Sequence, residues 1–328
     1  MRKKVFKWIK LTLKFSLAFI IIGYMVYSGR LDLSVVRTGL SHGWIMTSVL
    51  LLVILATTIA LNRWRILLRG QGISFSFGHV VRYGLIGCFF NTTMPGAVSG
   101  DIIKAWYVIS ENQIKEKTPV LTSILLDRAM GVFGLVLVSF VPLAFRWNDA
   151  WANPRLHSVA LLVSSLAFGV FCFFVYVMLS VYGPFAVIRR AMERLKRLPG
   201  GEAFLKAYDA FMSYRQHPEV LFQSLALSVC THISVVTAVI FCSLALGENQ
   251  LGLYQFFLLV PVGLITTAIP IAPGGLGVGH VAFQALFKLA GSNHGAEIFT
   301  LYVMLQIFVN LSGVFFYLRA PKMQVVSE

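Results

Sequence analysis

Apolar stretches long enough to cross a lipid bilayer recur along the whole chain. About 20 consecutive apolar residues cross the hydrocarbon core, and six full spans are predicted on this basis: 11–28, 43–61, 119–145, 157–182, 219–246 and 297–318. The composition agrees, because 57% of the residues are hydrophobic and only 12% are charged, about half the charged share of a soluble domain. These apolar stretches leave no part of the sequence long enough for a separate soluble domain. We therefore predict an all-α polytopic membrane protein with a single transmembrane domain over residues 1–328.

Two further apolar segments are interrupted midway by proline and glycine. We call residues 78–110 the first broken segment and residues 254–290 the second broken segment. Proline lacks an N–H and glycine tolerates tight turns, so both stretches are predicted to interrupt a helix. Non-helical backbone at membrane depth persists only where protein or water satisfies its polar groups. Both breaks are therefore expected to line a cavity near the middle of the membrane.

The distribution of lysine and arginine predicts the orientation of the spans. Basic residues are concentrated in the first ten residues, in 62–72 and in a basic loop at 183–218, and they are sparse in 29–42, 146–156 and 247–253. Cytoplasmic loops carry the excess of positive charge, so the first three regions are expected to face the cytoplasm. The formal net charge of +15 lies mostly beside spans, where it attracts anionic headgroups. Membrane lipids, rather than nucleic acid, are the expected partners.

Crossings counted from these loops place both ends of each broken segment on one side of the membrane. A re-entrant hairpin fits this parity, because the last arm of the second broken segment, about 281–290, is only about 15 Å long as a helix. Two short tilted spans would give the same parity. Residues 1–145 and 157–318 then share the order span, span, hairpin, span, in opposite orientations. This order predicts an inverted-topology repeat, a common plan among transporters, with both termini cytoplasmic.

The helix that follows each break is expected to point its N-terminus into the cavity. Unpaired N–H groups and the helix dipole favour an anion at such an end, so the two breaks together suit a phosphate headgroup. The first broken segment contains N-x-x-M-P-G-x-x-S-G-D-x-x-K at 91–104, and the second contains P-x-x-P-G-G-L-G-x-G at 270–279. A third motif, L-L-D-R-x-x-G, lies at 125–131.

Together these three ordered motifs resemble the lysylphosphatidylglycerol synthase transmembrane family of flippase-like domains. The resemblance covers nearly the whole chain and implies translocation of an anionic or polyprenyl-linked lipid in a prokaryotic cytoplasmic membrane. Two positions depart from the family pattern: His280 stands where an acidic residue is common, and Lys104 near where an arginine is common. The lipid-aminoacylating domain does not accompany the motifs, so lipid modification is not expected.

The candidate substrate-binding residues come from the two breaks and from the third motif. They are Asn91, Pro95, Gly96, Ser99, Gly100, Asp101, Lys104, Asp127, Arg128, Pro273, Gly274, Gly275, Gly277, His280 and Gln284. Charged side chains inside apolar segments are costly and are usually functional or paired. Asp127 and Arg128 point about 100° apart on a helix and make a poor mutual pair. Asp101 and Lys104 are therefore their candidate partners.

Several of these residues have two interpretations that the sequence leaves open. Asp101 is either a headgroup or cation contact, or the N-cap of the arm at 102–110. Lys104 either meets a phosphate or extends to the interface. His280 either contacts phosphate or carries a proton, or it is a hydrogen-bonded structural residue. His232, alone on an apolar span, is expected to be a packing residue.

The preferred hypothesis is a lipid translocase that holds the headgroup between the two broken segments. A secondary transporter of a small anion could share the architecture, and so could a membrane-embedded lipid-processing enzyme. The enzyme is disfavoured because we find no HExxH, paired acidic or Ser–His arrangement. A non-transporting partner of a lipid-synthesis enzyme is the remaining alternative. We expect no cofactor and no metal, since the four cysteines lack metal-ligand spacing.

Overall fold

The computed structural model describes residues 37–39, 41–94, 99–111, 114, 116–180, 208–209, 212–267 and 277–320. Within these residues the regular structure is helical, with no strand. The helices are α1 (Gly43–Gly70), α2 (Phe77–Thr93), α3 (Ser99–Glu111), α4 (Thr118–Phe145), α5 (Trp147–Ala152), α6 (His157–Ser180), α7 (Pro218–Ala245), α8 (Leu253–Thr267), α9 (Val278–Leu289), α10 (Gly295–Leu311) and α11 (Gly313–Arg319). A short 3₁₀ helix, Ser213–Gln216, precedes α7.

Five helical stretches in the described residues are long and apolar enough to cross a membrane. They are α1, α4, α6, α7 and the pair α10–α11, which together run from Gly295 to Arg319. These stretches confirm a multi-pass, all-helical membrane protein and coincide with five of the six predicted spans. The other predicted span, 11–28, lies outside the described residues, as does most of the basic loop at 183–218.

Helix α1 extends beyond the predicted span at 43–61 and takes in most of the basic segment 62–72. The reason is that its buried stripe continues through Trp64, Leu67 and Leu68 at helical spacing. A 28-residue helix is about 42 Å long, which exceeds a hydrocarbon core of about 30 Å. The last turns of α1 therefore have room to project beyond the hydrocarbon.

Each broken segment forms two shorter helices, as the proline and glycine pattern predicts. The first gives α2, which ends where Met94 is extended, and α3, which begins at Ser99. The second gives α8 and α9, whose lengths are 15 and 12 residues. Within the described residues none of the four reaches about 30 Å at 1.5 Å per residue. Pro95, Gly96, Pro273, Gly274 and Gly275 lie outside the described residues.

Packing between the two halves of the chain is reciprocal. Helix α1 packs along α7, which holds the same place in the predicted order of spans in the second half. Helix α2 packs on α10, and its counterpart α8 packs on α4. In the same way α4 contacts α7, and α10 contacts α1. The largest buried core lies where α1, α7, α8, α9 and α10 meet, and it contains Val53, Val236, Val260, Phe283 and Phe299.

Candidate functional site: a charged cluster inside the helical bundle

Five charged side chains from three helices lie together within the bundle, and we call them the charged cluster. They are Arg63 of α1, Asp101 and Lys104 of α3, and Asp127 and Arg128 of α4. Four of them expose between 7% and 13% of the side chain, whereas Arg128 exposes 39%. Charges placed this deep in membrane-spanning structure persist only when they are paired.

Asp101 is the centre of the cluster. Its carboxylate accepts hydrogen bonds from Lys104 Nζ at 3.0 Å and from Arg128 Nε at 2.5 Å. The expected pairing of Asp101 with Arg128 is confirmed. The interpretation of Asp101 as an N-cap is wrong, because α3 begins two residues earlier, at Ser99. Lys104 does not extend to an interface, since its ammonium lies 4.7 Å from the centre of the Trp64 ring and its side chain is largely buried.

Asp127 pairs with Arg63, which lies in the segment 62–72 that is predicted to face the cytoplasm. Arg63 Nε donates to Asp127 Oδ1 at 2.7 Å, and Arg63 Nη1 donates to Ser228 Oγ of α7 at 2.9 Å. Ser228 Oγ in turn donates to the carbonyl of Ser224 at 2.8 Å. This network joins α1, α4 and α7. The signal that could have placed Arg63 in the membrane is the buried stripe of α1, which continues on both sides of it.

Close backbone contact between α2 and α3 fixes the position of Asp101. A Cβ added at Gly100 would lie 1.9 Å from the carbonyl oxygen of Gly87, so only glycine allows this approach. Asn91 Oδ1 accepts from the Gly100 N–H at 2.8 Å, and Ser99 Oγ donates to the Phe90 carbonyl at 3.2 Å. The predicted residues Asn91, Ser99 and Gly100 thus fasten the start of α3. One N–H group at the start of α3, that of Gly100, therefore already donates to the Asn91 side chain.

The second broken segment is held by neutral hydrogen bonds. Gly277 begins α9 with φ of +86°, and its N–H donates to His280 Nδ1 at 3.3 Å. His280 Nε2 lies 3.1 Å from Thr300 Oγ1. Because Nδ1 is an acceptor, Nε2 is the donor of this bond, and the Thr300 hydroxyl donates onward to the Ala296 carbonyl. His280 is hydrogen-bonded within the structure, in line with the structural interpretation.

Gln284 also connects α9 to α10. Its Nε2 donates to the Asn293 carbonyl at 2.9 Å, and its Oε1 accepts from the Ala296 N–H at 3.0 Å. A contact of Gln284 with substrate stays a prediction. Of the predicted residues, the structure brings Asn91, Ser99, Gly100, Asp101, Lys104, Asp127 and Arg128 together, and it groups Gly277, His280 and Gln284 separately beside α10.

A row of polar side chains along α10, absent from the predicted site, connects with the first break. Tyr302 Oη donates to Gln306 Oε1 at 3.3 Å, Gln306 Nε2 to Asn310 Oδ1 at 3.0 Å, and Asn310 Nδ2 to Thr92 Oγ1 at 3.0 Å. The i, i+4, i+8 spacing on one helix face is the sequence signal that could have revealed the row.

The charged cluster carries more positive than negative charge. Three cations face two carboxylates, which leaves one excess positive charge when all five groups are ionised. Arg128, the most exposed member, places a guanidinium at the accessible edge. Guanidinium and ammonium groups suit phosphate oxygens. Among the described residues no group of three His, Cys, Asp or Glu side chains is placed to hold a metal ion.

Comparison with known proteins gives a family match over most of the chain. The family model described as the lysylphosphatidylglycerol synthase TM region matches residues 11–313. A curated relative, a UPF0104 membrane protein of Pyrococcus horikoshii, is 22% identical over 246 residues, which cover 70% of this chain and 72% of the relative. No solved structure matches the chain significantly. The range matched by the family model contains both broken segments and the whole charged cluster.

Proposed function

The chain belongs to the family of lysylphosphatidylglycerol synthase transmembrane regions, and we propose that it is a lipid translocase of a prokaryotic cytoplasmic membrane. In this proposal it moves a phosphate-headed lipid, either an anionic phospholipid or a polyprenyl-phosphate-linked lipid. The headgroup binds at the charged cluster while the hydrocarbon tail stays in the bilayer. The charged cluster is the observation that carries the proposal, because an excess cation inside a membrane bundle requires an anionic partner or a costly exposure.

Asp101 gives the cations of the charged cluster an internal counter-ion. Its carboxylate holds both Lys104 and Arg128, so neither cation is buried without a negative charge when substrate is absent. An arriving phosphate offers the same two cations a second acceptor, and Arg128 is the group it meets first because it is the most exposed. Asp127 is paired with Arg63, which leaves the excess positive charge on the Asp101 side.

The architecture proposed for transport is six spans and two re-entrant broken segments in an inverted repeat, with cytoplasmic termini. The short helices of the broken segments and the reciprocal packing of α2 on α10 and α8 on α4 support this arrangement. Rocking of one repeat against the other would open the site to each leaflet in turn, as in other inverted-repeat transporters. An ion gradient or the lipid gradient itself would drive the movement.

A reconstituted transport assay tests the proposal. Proteoliposomes containing fluorescent phosphatidylglycerol are scored by the fraction of label that a membrane-impermeant quencher can reach, with and without a proton gradient. The wild-type protein is expected to move the label, and Arg128→Gln combined with Lys104→Gln to slow it at least about tenfold, since two charge-assisted contacts to phosphate are lost. Arg69→Gln is the matched control, because Arg69 is an exposed cation at the end of α1.

Two results would contradict the proposal. Label that stays on its original leaflet under both conditions would exclude translocation of that lipid by this protein. Uptake of radiolabelled inorganic phosphate without lipid movement would instead favour a secondary transporter of a small anion, which the same cations could serve.

A further inference from the structure

A groove separate from the charged cluster opens between α4, α7 and α8. Its volume is about 650 Å³, which lies within the range of about 300–1,000 Å³ typical of small-ligand sites. The walls are aliphatic and aromatic, with Leu137 and Val141 from α4, Ile233 from α7 and Phe257 from α8. Val141 and Ile233 are exposed, so the groove is open to the surroundings of the bundle.

One end of the groove is polar. Among the described residues that line it, Arg146 is the one charged side chain. Its guanidinium carbon lies 5.7 Å from the centre of the Tyr254 ring. The Tyr254 hydroxyl is buried and has no hydrogen-bond partner among the described residues. A buried hydroxyl without a partner is uncommon in folded proteins. A cation and an unsatisfied donor at the same end of an apolar groove indicate an anionic head on an apolar ligand.

The position of the groove along α4 matches the depth of one leaflet. If α4 is centred and upright in the bilayer, Leu137 lies about 8 Å and Phe145 about 20 Å from the middle of the helix. The hydrocarbon core ends about 15 Å from the bilayer centre, and headgroups extend to about 20–22 Å. Stacked Trp147 and Trp151 follow directly at this end, in keeping with the aromatic belt of a membrane interface.

From this geometry we propose that the groove is a second lipid-binding site. One hydrocarbon chain of a phosphate-headed membrane lipid fills the apolar part, and the phosphate is held by the Arg146 guanidinium. The Tyr254 hydroxyl joins it as a donor when its ring turns toward the groove. Asp149 pairs with Arg146 at 3.4 Å and both side chains are well exposed, so the pair is weak and gives way to a phosphate. The site lies about 27 Å along α4 from Arg128. Lipid binding in the groove therefore does not depend on transport at the charged cluster.

Photolabelling in nanodiscs tests the proposal. The full chain is embedded with phosphatidylglycerol that carries a diazirine in one acyl chain, or with a diacylglycerol that carries the same chain, and labelled peptides are mapped by mass spectrometry. The expected result is stronger labelling of the groove peptides by phosphatidylglycerol than by diacylglycerol. Arg146→Gln is expected to lower phosphatidylglycerol labelling about fivefold, as loss of a partly exposed ion pair implies, and to leave diacylglycerol labelling unchanged.

Bulky substitutions separate the groove from the general lipid surface. Ile233→Trp fills the groove and is expected to lower labelling by both probes, and Val141→Trp serves the same purpose if the first variant fails to fold. Phe168→Trp is the matched control, because Phe168 is exposed on α6 and does not line the groove. Arg128→Gln is expected to leave groove labelling unchanged, so failure here is distinguishable from failure of the transport proposal.

Three outcomes would overturn the inference. Equal labelling of the groove by both probes in the wild-type protein would mean that bulk lipid contacts the groove regardless of its headgroup. Labelling that the bulky substitutions do not reduce would place the lipid elsewhere. If soluble glycerol phosphate abolished the labelling at the same concentration as unlabelled phosphatidylglycerol, the groove would be a site for a free anion.

Discussion

The two broken segments share a helix–break–helix plan and differ in chemistry. The first is charged: Asp101 and Lys104 lie on its second helix, and Arg128 of α4 completes the group. The helices of the second, α8 and α9, carry no Asp or Glu, and their one Lys or Arg is Lys288, near the end of α9. The charges that could meet a phosphate therefore lie at the first segment, and we expect the ligand to bind there and not at the second segment.

The two segments are also held together differently. In the first, α2 and α3 touch through backbone atoms at Gly87 and Gly100. In the second, aromatic rings pack against the glycines of α8 and α9. A Cβ at Gly263 would lie 2.6 Å from the Phe283 ring, and one at Gly279 would lie 2.3 Å from the Phe299 ring. A substitution at Gly100 therefore meets a helix backbone, whereas one at Gly263 or Gly279 meets the side chain of a buried phenylalanine.

The largest expected effect follows from removing the charge of the first segment. Asp101→Asn keeps the shape of the side chain but removes the carboxylate charge that pairs with Lys104 and Arg128, so we expect a loss of about 3–5 kcal/mol in the free energy of unfolding. Thermal unfolding in detergent micelles measures it. Asp149→Asn is the matched control, since its pair with Arg146 is well exposed. Equal effects of the two substitutions would refute the role of Asp101 as counter-ion.

Glycine substitutions compare the two packing modes directly. Gly100→Ala forces α2 and α3 apart, because the new Cβ meets a carbonyl oxygen at 1.9 Å, and we expect a destabilisation of about 3 kcal/mol. Gly263→Ala meets only the edge of the Phe283 ring, and we expect about 1 kcal/mol after the ring turns. The same unfolding assay ranks them. A larger effect at Gly263 would contradict the expected order of the two contacts.

The sequence predicted the parts of this structure that depend on local pattern. Long apolar runs gave five of the spans, and the proline–glycine stretches gave both breaks. The motif at 91–104 correctly grouped Asp101 with Lys104, because these residues lie one helical turn apart. The Asp127–Arg63 pair was missed, since it joins residues 64 positions apart and no local pattern encodes which distant helix face supplies a partner. The contact of Gly87 with Gly100 is likewise a property of tertiary packing.

The next prediction concerns His280 and sharpens the division of roles. His280→Ala removes two neutral hydrogen bonds, to Gly277 and Thr300, and we expect a loss of about 1–2 kcal/mol in stability. Binding of phosphatidylglycerol at the charged cluster should be unchanged when measured below the unfolding temperature. Thr300→Val, which removes only one partner, should cost less. Weaker lipid binding by a folded His280→Ala protein would place His280 at the substrate and contradict the division.

The smallest expected effect tests whether α10 holds the first break. Asn310 donates to Thr92 next to the break, and hydrogen bonds between membrane helices average about 0.6 kcal/mol in double-mutant cycles. A cycle of Asn310→Leu and Thr92→Val should therefore give a coupling of about 0.6 kcal/mol in unfolding. If movement of the second segment reaches the first through α10, the same cycle should also show coupling in the transport rate. Coupling in stability alone would leave α10 as a support, and each segment would then act independently.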